Sequence, residues 1–504
     1  MSGSMQVGYE YEPPALMSSS GREIMGNWDK QLEQMRELSI PHMQVEEAVF
    51  AGEKNVVICN LKMSWTIPAH IRVQLWSMPE EGSRIHICVW LPLGHWNEEL
   101  YAIGNGGYAG SYPTDPQSAP LKMGFAIATT DLGTSAGPDC GVDFPGVVKD
   151  FGYRANHEMT VAAREVIHAF YGKYPKHSYF MGGSTGGQQG LALAQRYPED
   201  YDGIVICAPA WDRVNLHIAF VWDWVHLNRN GVKPFTKEDA GRISAAFLDG
   251  GALEGERQAG ENFLRRPDRI RNTKSVLQRC GLSADQVEAL EAVYAGPTDP
   301  VTGERIYEGS MVPGSESQDL GLTARCDGET FSHEFFYLFR WIFGTDFDFM
   351  RFDFHRDTIR LREALSGELD ASEPDLSAFR ERGGKLLMVH GTADPIIPMG
   401  SSIRYWNKVQ ETMGDTSDFF RLFLMPGMAH VLGGPGAGDF VYGMPGTPKD
   451  ARHYGLCAVQ EWVEKGSAPD ALYPVCFRDE PASMLRLDGV CGEIKAVPYG
   501  GTKL

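Results

Sequence analysis

Apolar residues recur along the first 210 positions as short runs separated by polar and glycine-rich segments. Residues 71–75 and 84–90 alternate apolar and polar side chains, a pattern that predicts half-buried antiparallel strands at a sheet edge. Further strands are predicted by the apolar runs at residues 100–103, 124–131, 178–181 and 203–207. Residues 155–174 read as an amphipathic helix, and strands that alternate with helices predict an α/β fold with a mainly parallel sheet.

The alternation stops after residue 211. Residues 212–350 are helix-like and loop-like and end in an aromatic-rich segment, whereas strand patterns return at residues 385–391 and 419–425. A helix is predicted at residues 458–465, followed by an irregular tail. We therefore predict a core formed by residues 1–211 and 351–504, with residues 212–350 inserted as a lid domain.

Charge and hydropathy limit the classes of partner. The net charge of -20 and the acidic pI near 5.2 argue against nucleic acid or an anionic membrane as the main partner. The chain has no run of about 18 apolar residues, so no membrane span is predicted. The N-terminus lacks the basic-then-apolar pattern of a signal peptide, which predicts a cytoplasmic protein. The sequence carries no signal for the oligomeric state.

The nine cysteines give no metal-binding spacing. None forms a C-x-x-C pair, which argues against a structural zinc site. Cys88 and Cys207 lie inside apolar strand-like runs, where a free thiol behaves as a small hydrophobe, so we predict that both are buried and unpaired. Cys476 and Cys491 are the candidates for a disulfide.

A serine motif lies between the predicted strand at 178–181 and a helix-like run. Gly182, Ser184 and Gly186 form a G-x-S-x-G sequence there. In hydrolases this strand–turn–helix arrangement holds a serine hydroxyl on a sharp turn as the nucleophile. Because the chain has 57 glycines, chance matches to the motif are easy. The motif therefore points to catalysis only if a base and a carboxylate are found elsewhere.

Two residues supply those partners, each in a loop directly after a predicted strand. Asp394 follows the first strand after the insertion, and His430 follows the next. The order Ser184, Asp394, His430 is the order found in α/β-hydrolases, and the strand ends of such sheets gather at one edge. We therefore predict that the three residues form a catalytic triad. His390 is an alternative base, although its place at a strand end favours a buried structural histidine.

A glycine-rich loop after the predicted strand at 100–103 is a candidate oxyanion site. Glycines let backbone N–H groups approach a ligand closely. Hydrolases with a serine elbow take one oxyanion donor from an early strand–helix loop and another from the residue after the nucleophile. We predict that the backbone N–H groups of Thr185 and of Gly106 or Gly107 stabilise the oxyanion.

With these motifs in place, the sequence resembles the tannase and feruloyl esterase family. The similarity covers most of the two core segments and is weak across the lid. The matching segments are residues 150–155, 182–190, 195–198, 202–205, 208–210, 375–379, 383–385, 390–391, 393–395, 426–428, 430, 433–436 and 462–466. The resemblance implies an α/β-hydrolase core whose inserted lid closes over the acyl group. It also implies a serine hydrolase acting on carboxylic esters, often of aromatic acids.

The sequence departs from the family pattern beside the predicted nucleophile and base. The family typically has a cysteine directly before the serine and another directly after the histidine, joined by a disulfide. Here those positions hold Gly183 and Val431, so the resemblance implies that packing alone holds the triad loops. The missing bridge and the odd cysteine count again predict a reducing compartment.

A second departure lies in the predicted lid. Family lids usually carry a calcium loop of closely spaced aspartates. The nearest segment, residues 246–256, keeps two pairs of an acidic residue and a glycine, but Ala246 stands where the first aspartate is expected. Calcium needs several oxygen ligands at tight spacing. We therefore predict a solvated turn rather than a metal site, and no cofactor.

The aromatic segment at residues 331–343 carries the candidates for substrate binding. We expect most of its rings to form the lid core, with Phe336 and Trp341 lining a pocket for a planar substrate and Arg340 binding a carboxylate or carbonyl. The predicted function is hydrolysis of a small-molecule carboxylic ester, of an aromatic or phenolic acid, through an acyl-serine. Two alternatives remain. One is an acyltransferase or lactone-forming enzyme that uses the same acyl-serine, and the other is a non-catalytic binding protein on a hydrolase scaffold.

Overall fold

The computed structural model describes residues 28–58, 63–112, 118–135, 140–248, 272–326, 335–444, 446–480, 484–490 and 499. Cys491 and residues 249–256 lie outside these ranges. The candidate disulfide between Cys476 and Cys491 and the solvated turn in the lid therefore stay predictions.

The strands within the described ranges are β1 (Met43–Ala51), β2 (Lys54–Ile58), β3 (Met63–Ile67), β4 (His70–Ser77), β5 (Ile85–Pro92), β6 (Glu99–Ile103), β7 (Ala126–Thr130), β8 (His177–Gly183), β9 (Gly203–Cys207), β10 (Lys385–Gly391), β11 (Phe420–Met425), β12 (Ala437–Asp439), β13 (Val475–Glu480) and β14 (Met484–Val490).

The helices are α1 (Asp29–Arg36), α2 (Ser118–Lys122), α3 (Val147–Lys149), α4 (Ala155–Tyr171), α5 (Thr185–Arg196), α6 (Arg213–Asn228), α7 (Lys237–Leu248), α8 (Thr273–Arg279), α9 (Ala284–Ala295), α10 (Leu322–Arg325), α11 (Tyr337–Phe343), α12 (Arg356–Leu361), α13 (Gly367–Leu369), α14 (Ser377–Glu381), α15 (Met399–Met413) and α16 (Gly455–Lys465). Single π-helical turns at Asp150–Arg154 and Arg362–Ser366 extend α4 and α12, and a 3-10 turn lies at Phe349–Arg351.

The main sheet has the strand order β1-β4-β5-β7-β6-β8-β9-β10-β11. Strands β1, β4, β5 and β7 pair antiparallel at one edge. From β7 across to β11 every pairing is parallel. The predicted antiparallel edge and mainly parallel sheet are therefore confirmed.

Alternate side chains of the central strands supply two separate cores, one on each face of the sheet. Phe180 and Ile204 point to the face covered by α4 and α5. Tyr179 and Val205, one position away, belong to the core on the other face, which α16 covers. Because both faces of these strands are covered, their residues are almost all apolar, as in other parallel sheets. Because β8, β9, β10 and β11 all run parallel, the carboxyl ends of β8, β10 and β11 lie at the same edge of the sheet.

The segment between β9 and β10 contains helices α6 to α14 and has an apolar cluster of its own. Members of that cluster include Leu227, Phe235, Ile243, Phe247, Leu277 and Leu290. A separate cluster is what an inserted domain requires, so it supports the predicted lid. The boundaries at 211 and 350 stay predictions.

One prediction of secondary structure was wrong. The tail is not irregular, since its strands β13 and β14 pair antiparallel and join β12 in a three-stranded sheet. The hairpin of β2 and β3, which is separate from the main sheet, was not predicted. A local pattern indicates extended chain without naming its partner.

Cys88 and Cys207 are buried free thiols, as predicted. Within the described ranges, none of the helices has both the length and the apolar character that crossing a bilayer requires.

Candidate active site

The turn after β8 holds Ser184 in a backbone conformation that residues with side chains rarely adopt, with φ 59° and ψ -116°. Such a conformation costs about 1–3 kcal/mol and persists only where its surroundings impose it. The Ser184 N–H donates to the carbonyl of Cys207 at 2.9 Å, and the Ser184 carbonyl accepts from the N–H groups of Gly187 at 3.0 Å and Ala210 at 3.1 Å. Ser184 remains partly exposed between buried neighbours. This geometry fits a nucleophile elbow.

The elbow depends on a close approach between strand and helix. A Cβ atom on Gly182 would lie 2.5 Å from the carbonyl carbon of Gly186, in the first turn of α5. No side chain fits that space, since ordinary carbon contacts begin near 3.5 Å. The first glycine of the G-x-S-x-G motif is thus required by contact.

Asp394 and His430 meet at the ends of β10 and β11. The His430 Nδ1–H donates to Asp394 Oδ2 at 2.8 Å, and the Asp394 side chain is fully buried. The other carboxylate oxygen, Oδ1, accepts from the backbone N–H groups of Ile396 at 2.9 Å and Ile397 at 3.0 Å. Burial by itself would raise the pKa of Asp394. The charge of His430 and its hydrogen bond outweigh burial and hold the pKa below the usual value. Because Nδ1 carries the proton that it donates to Asp394, Nε2 is the basic nitrogen of the His430 ring. The His430 side chain keeps 11% of its surface exposed.

His390, the alternative base, is committed to other partners. Its Nε2 lies 2.8 Å from the carbonyl of Ile397, so this nitrogen carries the proton and donates it. Its Nδ1 accepts from the Ser402 hydroxyl at 2.7 Å. The side chain is fully buried, and burial lowers its pKa despite the nearby charge of Asp394. These contacts are those of a neutral structural histidine.

The loops that carry Ser184 and His430 touch each other directly. A Cβ atom on Gly183 would lie 2.5 Å from Val431 Cγ1 and 2.9 Å from the Tyr442 hydroxyl. Gly183 precedes the serine and Val431 follows the histidine, so this contact sets the base loop against the nucleophile loop. Val431 itself has φ 57°, an unusual conformation for a β-branched residue. Packing therefore occupies the place where the family places its disulfide.

The glycine-rich loop after β6 is clamped to the start of α5. The N–H of Gly186 donates to the carbonyl of Asn105 at 2.8 Å, and the Thr185 hydroxyl donates to the carbonyl of Gly107 at 2.6 Å. The backbone N–H of Asn105 donates to Gln189 Oε1 at 3.2 Å. Gly106 and Gly107 are exposed. Thr185 is the first residue of α5, and the first N–H groups of a helix have no partner within it. This arrangement fits the predicted oxyanion donors, whose role stays a prediction.

The three predicted substrate contacts lie in different surroundings. Phe336 is fully buried and packs its ring against Phe349, with centroids 4.3 Å apart. Trp341 is partly exposed and donates its indole N–H to the carbonyl of Cys140 at 3.1 Å. Arg340 is partly exposed on α11. Contact of each with substrate stays a prediction. Phe336 belongs to the apolar cluster on the face of the sheet that α4 and α5 cover, and not to the separate cluster of the inserted segment.

Sequence reasoning missed Gln189 and Asn105. Both are buried, and each belongs to the contact between the glycine-rich loop and α5. Asn105 also donates its side-chain amide to the carbonyl of Thr130 at 2.7 Å, which ties the loop to β7. The available signal was a pair of glutamines, Gln188 and Gln189, in a helix start otherwise built of small and apolar residues. Buried amides in such a place are held by partners, because an unpaired one is costly.

Within the described part of the chain, no group of three or more His, Cys, Asp and Glu side chains is arranged to hold a metal ion. Residues 249–256 fall outside that part, so the solvated turn expected there stays a prediction.

Solved structures share this fold. The chain aligns with feruloyl esterase B from Aspergillus oryzae at a TM-score of 0.77, with 23% identity over 94% of this chain and 96% of that protein. It aligns with tannin acyl hydrolase from Aspergillus niger at a TM-score of 0.67, with 20% identity over 91% of each. At these identities the likeness shows the fold alone, an α/β-hydrolase fold.

Proteins of similar sequence indicate the family to which the chain belongs. An uncharacterized esterase of Xanthomonas campestris pv. campestris is 32% identical, over 82% of this chain and 79% of that protein. Feruloyl esterase C of Talaromyces stipitatus is 29% identical, over 90% of this chain and 87% of its own length. The family model described as tannase and feruloyl esterase matches residues 71–247 and 268–492, which is most of the chain. The chain therefore belongs to the tannase and feruloyl esterase family and is a carboxylic ester hydrolase.

Proposed function

We propose that this protein cleaves carboxylic esters of aromatic or phenolic acids through an acyl-serine on Ser184. The observation that carries the proposal is the hydrogen bond between the fully buried Asp394 carboxylate and His430, whose loop packs against the serine elbow. An imidazole oriented by a buried carboxylate is what a serine needs to act as a nucleophile.

The residues take the following roles. Ser184 Oγ attacks the ester carbonyl while His430 Nε2 accepts its proton. Asp394 holds the imidazole through Nδ1 and stabilises the imidazolium. The oxyanion of the tetrahedral intermediate accepts hydrogen bonds from the N–H groups of Thr185 and of the Gly106–Gly107 segment. Each such donor is worth on the order of 3 kcal/mol in the transition state.

Collapse of the intermediate releases the alcohol, which takes the proton from His430, and leaves the acyl group on Ser184. Water then attacks the acyl-serine with His430 again as the base, and the free acid leaves. An acyltransferase or lactone-forming enzyme differs only in the nucleophile that attacks the acyl-serine, which is an alcohol or an amine instead of water. The binding-protein alternative rested on the two missing cysteines, and their positions are filled by packing instead.

The preference for a phenolic acid is supported by the names of sequence relatives, which include feruloyl esterase C of Talaromyces stipitatus. It is also supported by the partly exposed Trp341 in the segment predicted to line the pocket. The substrate would then be a small ester whose acyl side carries a planar ring.

Labelling with a serine-directed phosphonate tests the nucleophile. We expect one adduct, located on Ser184 by mass spectrometry, and none in the Ser184→Ala variant. Product analysis with methyl esters of hydroxycinnamic and hydroxybenzoic acids tests the reaction, with an aliphatic acyl ester as the comparison. Free acid is expected in the presence of excess alcohol. Transferred ester as the main product would favour the acyltransferase, and an adduct on another serine would refute the assignment of Ser184.

A further inference from the structure

The carbonyl of Pro395, directly after Asp394, is bound by an arginine from the segment between β9 and β10. Arg325, at the end of α10, donates from Nη2 to this carbonyl at 2.6 Å. The Arg325 side chain is fully buried. A residue of the predicted lid thus reaches the turn that carries the candidate carboxylate of the triad.

The guanidinium of Arg325 is itself held in one orientation. Its Nε donates to Asp223 Oδ2 at 3.0 Å, and its Nη1 donates to the carbonyl of Leu320 at 2.7 Å. Its Nη2 also donates to the Ser310 hydroxyl at 3.1 Å. Asp223 is fully buried on α6 and accepts from Ser310 through the same oxygen. Because a guanidinium is a rigid planar fork, the bonds from Nε and Nη1 are enough to fix the direction of the donor that faces Pro395.

The turn that carries Pro395 surrounds the carboxylate of Asp394. The N–H groups of Ile396 and Ile397 point inward and donate to Asp394 Oδ1, while the carbonyl of Pro395 points to Arg325. The inner bonds hold the carboxylate relative to its turn. The bond from Arg325 holds the turn relative to the rest of the molecule.

We propose that Arg325 is a positioning residue for ester hydrolysis, acting through the Pro395 carbonyl on the Asp394 turn and so on the His430 imidazole. The inference rests on the proposed function for the roles of Asp394 and His430. Arg325 is buried away from substrate, so its loss acts on the catalytic step and not on binding. A small misplacement of a catalytic group lowers the rate steeply.

Steady-state kinetics of Arg325→Lys test the proposal, with Ser310→Ala as the matched control. A lysine keeps the charge beside Asp223 but lacks the fork that also serves Pro395. Ser310→Ala disturbs the same buried network and leaves the bond to Pro395 in place. We expect Arg325→Lys to lower kcat by at least about tenfold with KM changed less than about twofold. Ser310→Ala should keep kcat near that of the wild type. Both variants are assayed at a temperature well below the unfolding transition of each.

The pH dependence of kcat is a second readout that a purely structural role would not move. In Arg325→Lys the acid limb should shift to lower pH, because a less well-placed Asp394 stabilises the His430 imidazolium less. Unchanged kcat and an unchanged acid limb in a folded Arg325→Lys protein would overturn the proposal.

A double variant covers the case in which Arg325→Lys does not fold. Replacing a buried ion pair by apolar residues of similar volume is often neutral for stability, so Asp223→Leu with Arg325→Met is expected to fold. It removes the donor to Pro395 and should show the same loss of kcat. Full kcat in this protein would refute the positioning role. A failure of the proposed function would look different, because the wild type itself would then give no acyl product and no adduct on Ser184.

Discussion

Gly183→Ala adds one methyl group at the point where the nucleophile loop meets the base loop. The new Cβ would lie 2.5 Å from Val431 Cγ1, whereas carbon atoms in contact prefer about 3.5–4.0 Å. The loops must therefore separate by about 1 Å. The backbone of Gly183 is not in the left-handed region, so alanine is opposed by space and not by φ.

The expected loss follows from this displacement. Overpacking a close contact costs about 1–3 kcal/mol of stability. Val431 has little freedom to absorb the shift by rotating its backbone, since its φ of 57° already strains a β-branched residue. The displacement therefore passes to His430, and a misplacement of about 1 Å lowers a rate on the order of 100-fold. We expect kcat to fall by about that factor.

The assay is steady-state ester hydrolysis together with urea unfolding. Gly94→Ala is the matched control, because a Cβ atom there would meet nothing within 4 Å. Adding Val431→Ala to Gly183→Ala removes Cγ1 and should regain about tenfold of the lost rate, as contacting residues couple in double-mutant cycles. If Gly183→Ala matches Gly94→Ala in both rate and stability, the contact has no positioning role. If the double variant folds but is no faster, the clash with Val431 is not the cause.

Three further results are expected. Gln189→Ala removes the acceptor of the Asn105 N–H, so kcat should fall about tenfold with little change in KM; a similar loss in Gln195→Ala, elsewhere on the same helix, would contradict this. Burial raises the pKa of Asp131 to about 7, against about 3.9 in an unfolded chain. The folded state therefore binds the extra proton between these values, and stability falls as pH rises from about 4 to 7. Urea unfolding of Asp131→Asn should show a smaller fall between pH 5 and 7, and an equal fall would exclude this group. His430→Ala should abolish turnover without changing the near-UV circular dichroism. His390→Ala should lower the free energy of unfolding by about 1–3 kcal/mol while turnover persists, and the reverse pattern would make His390 the base.

The sequence by itself determined the features that depend on residues close together in the chain. The apolar runs at residues 100–103, 178–181 and 203–207 all form strands of the main sheet, since a strand buried on both faces needs apolar residues at nearly every position. The elbow around Ser184 was also readable, because the turn depends on residues within a few positions of each other. Each of Ser184, Asp394 and His430 was predicted to follow a strand, and the parallel sheet brings the ends of those strands to one edge.

Only the tertiary structure decided which of these elements touch. Periodicity tells which face of a strand is buried and says nothing about what covers it, so the separate β2–β3 hairpin and the three-stranded sheet of the tail were not predicted. The same holds for contacts between distant residues, such as Gln189 with Asn105 and Arg325 with Pro395. Their side chains find their partners through packing of whole helices and loops. Gly183 and Val431 show the limit most clearly: the sequence marked both positions as departures from the family pattern, but only packing shows that a valine methyl group fills the space between the loops.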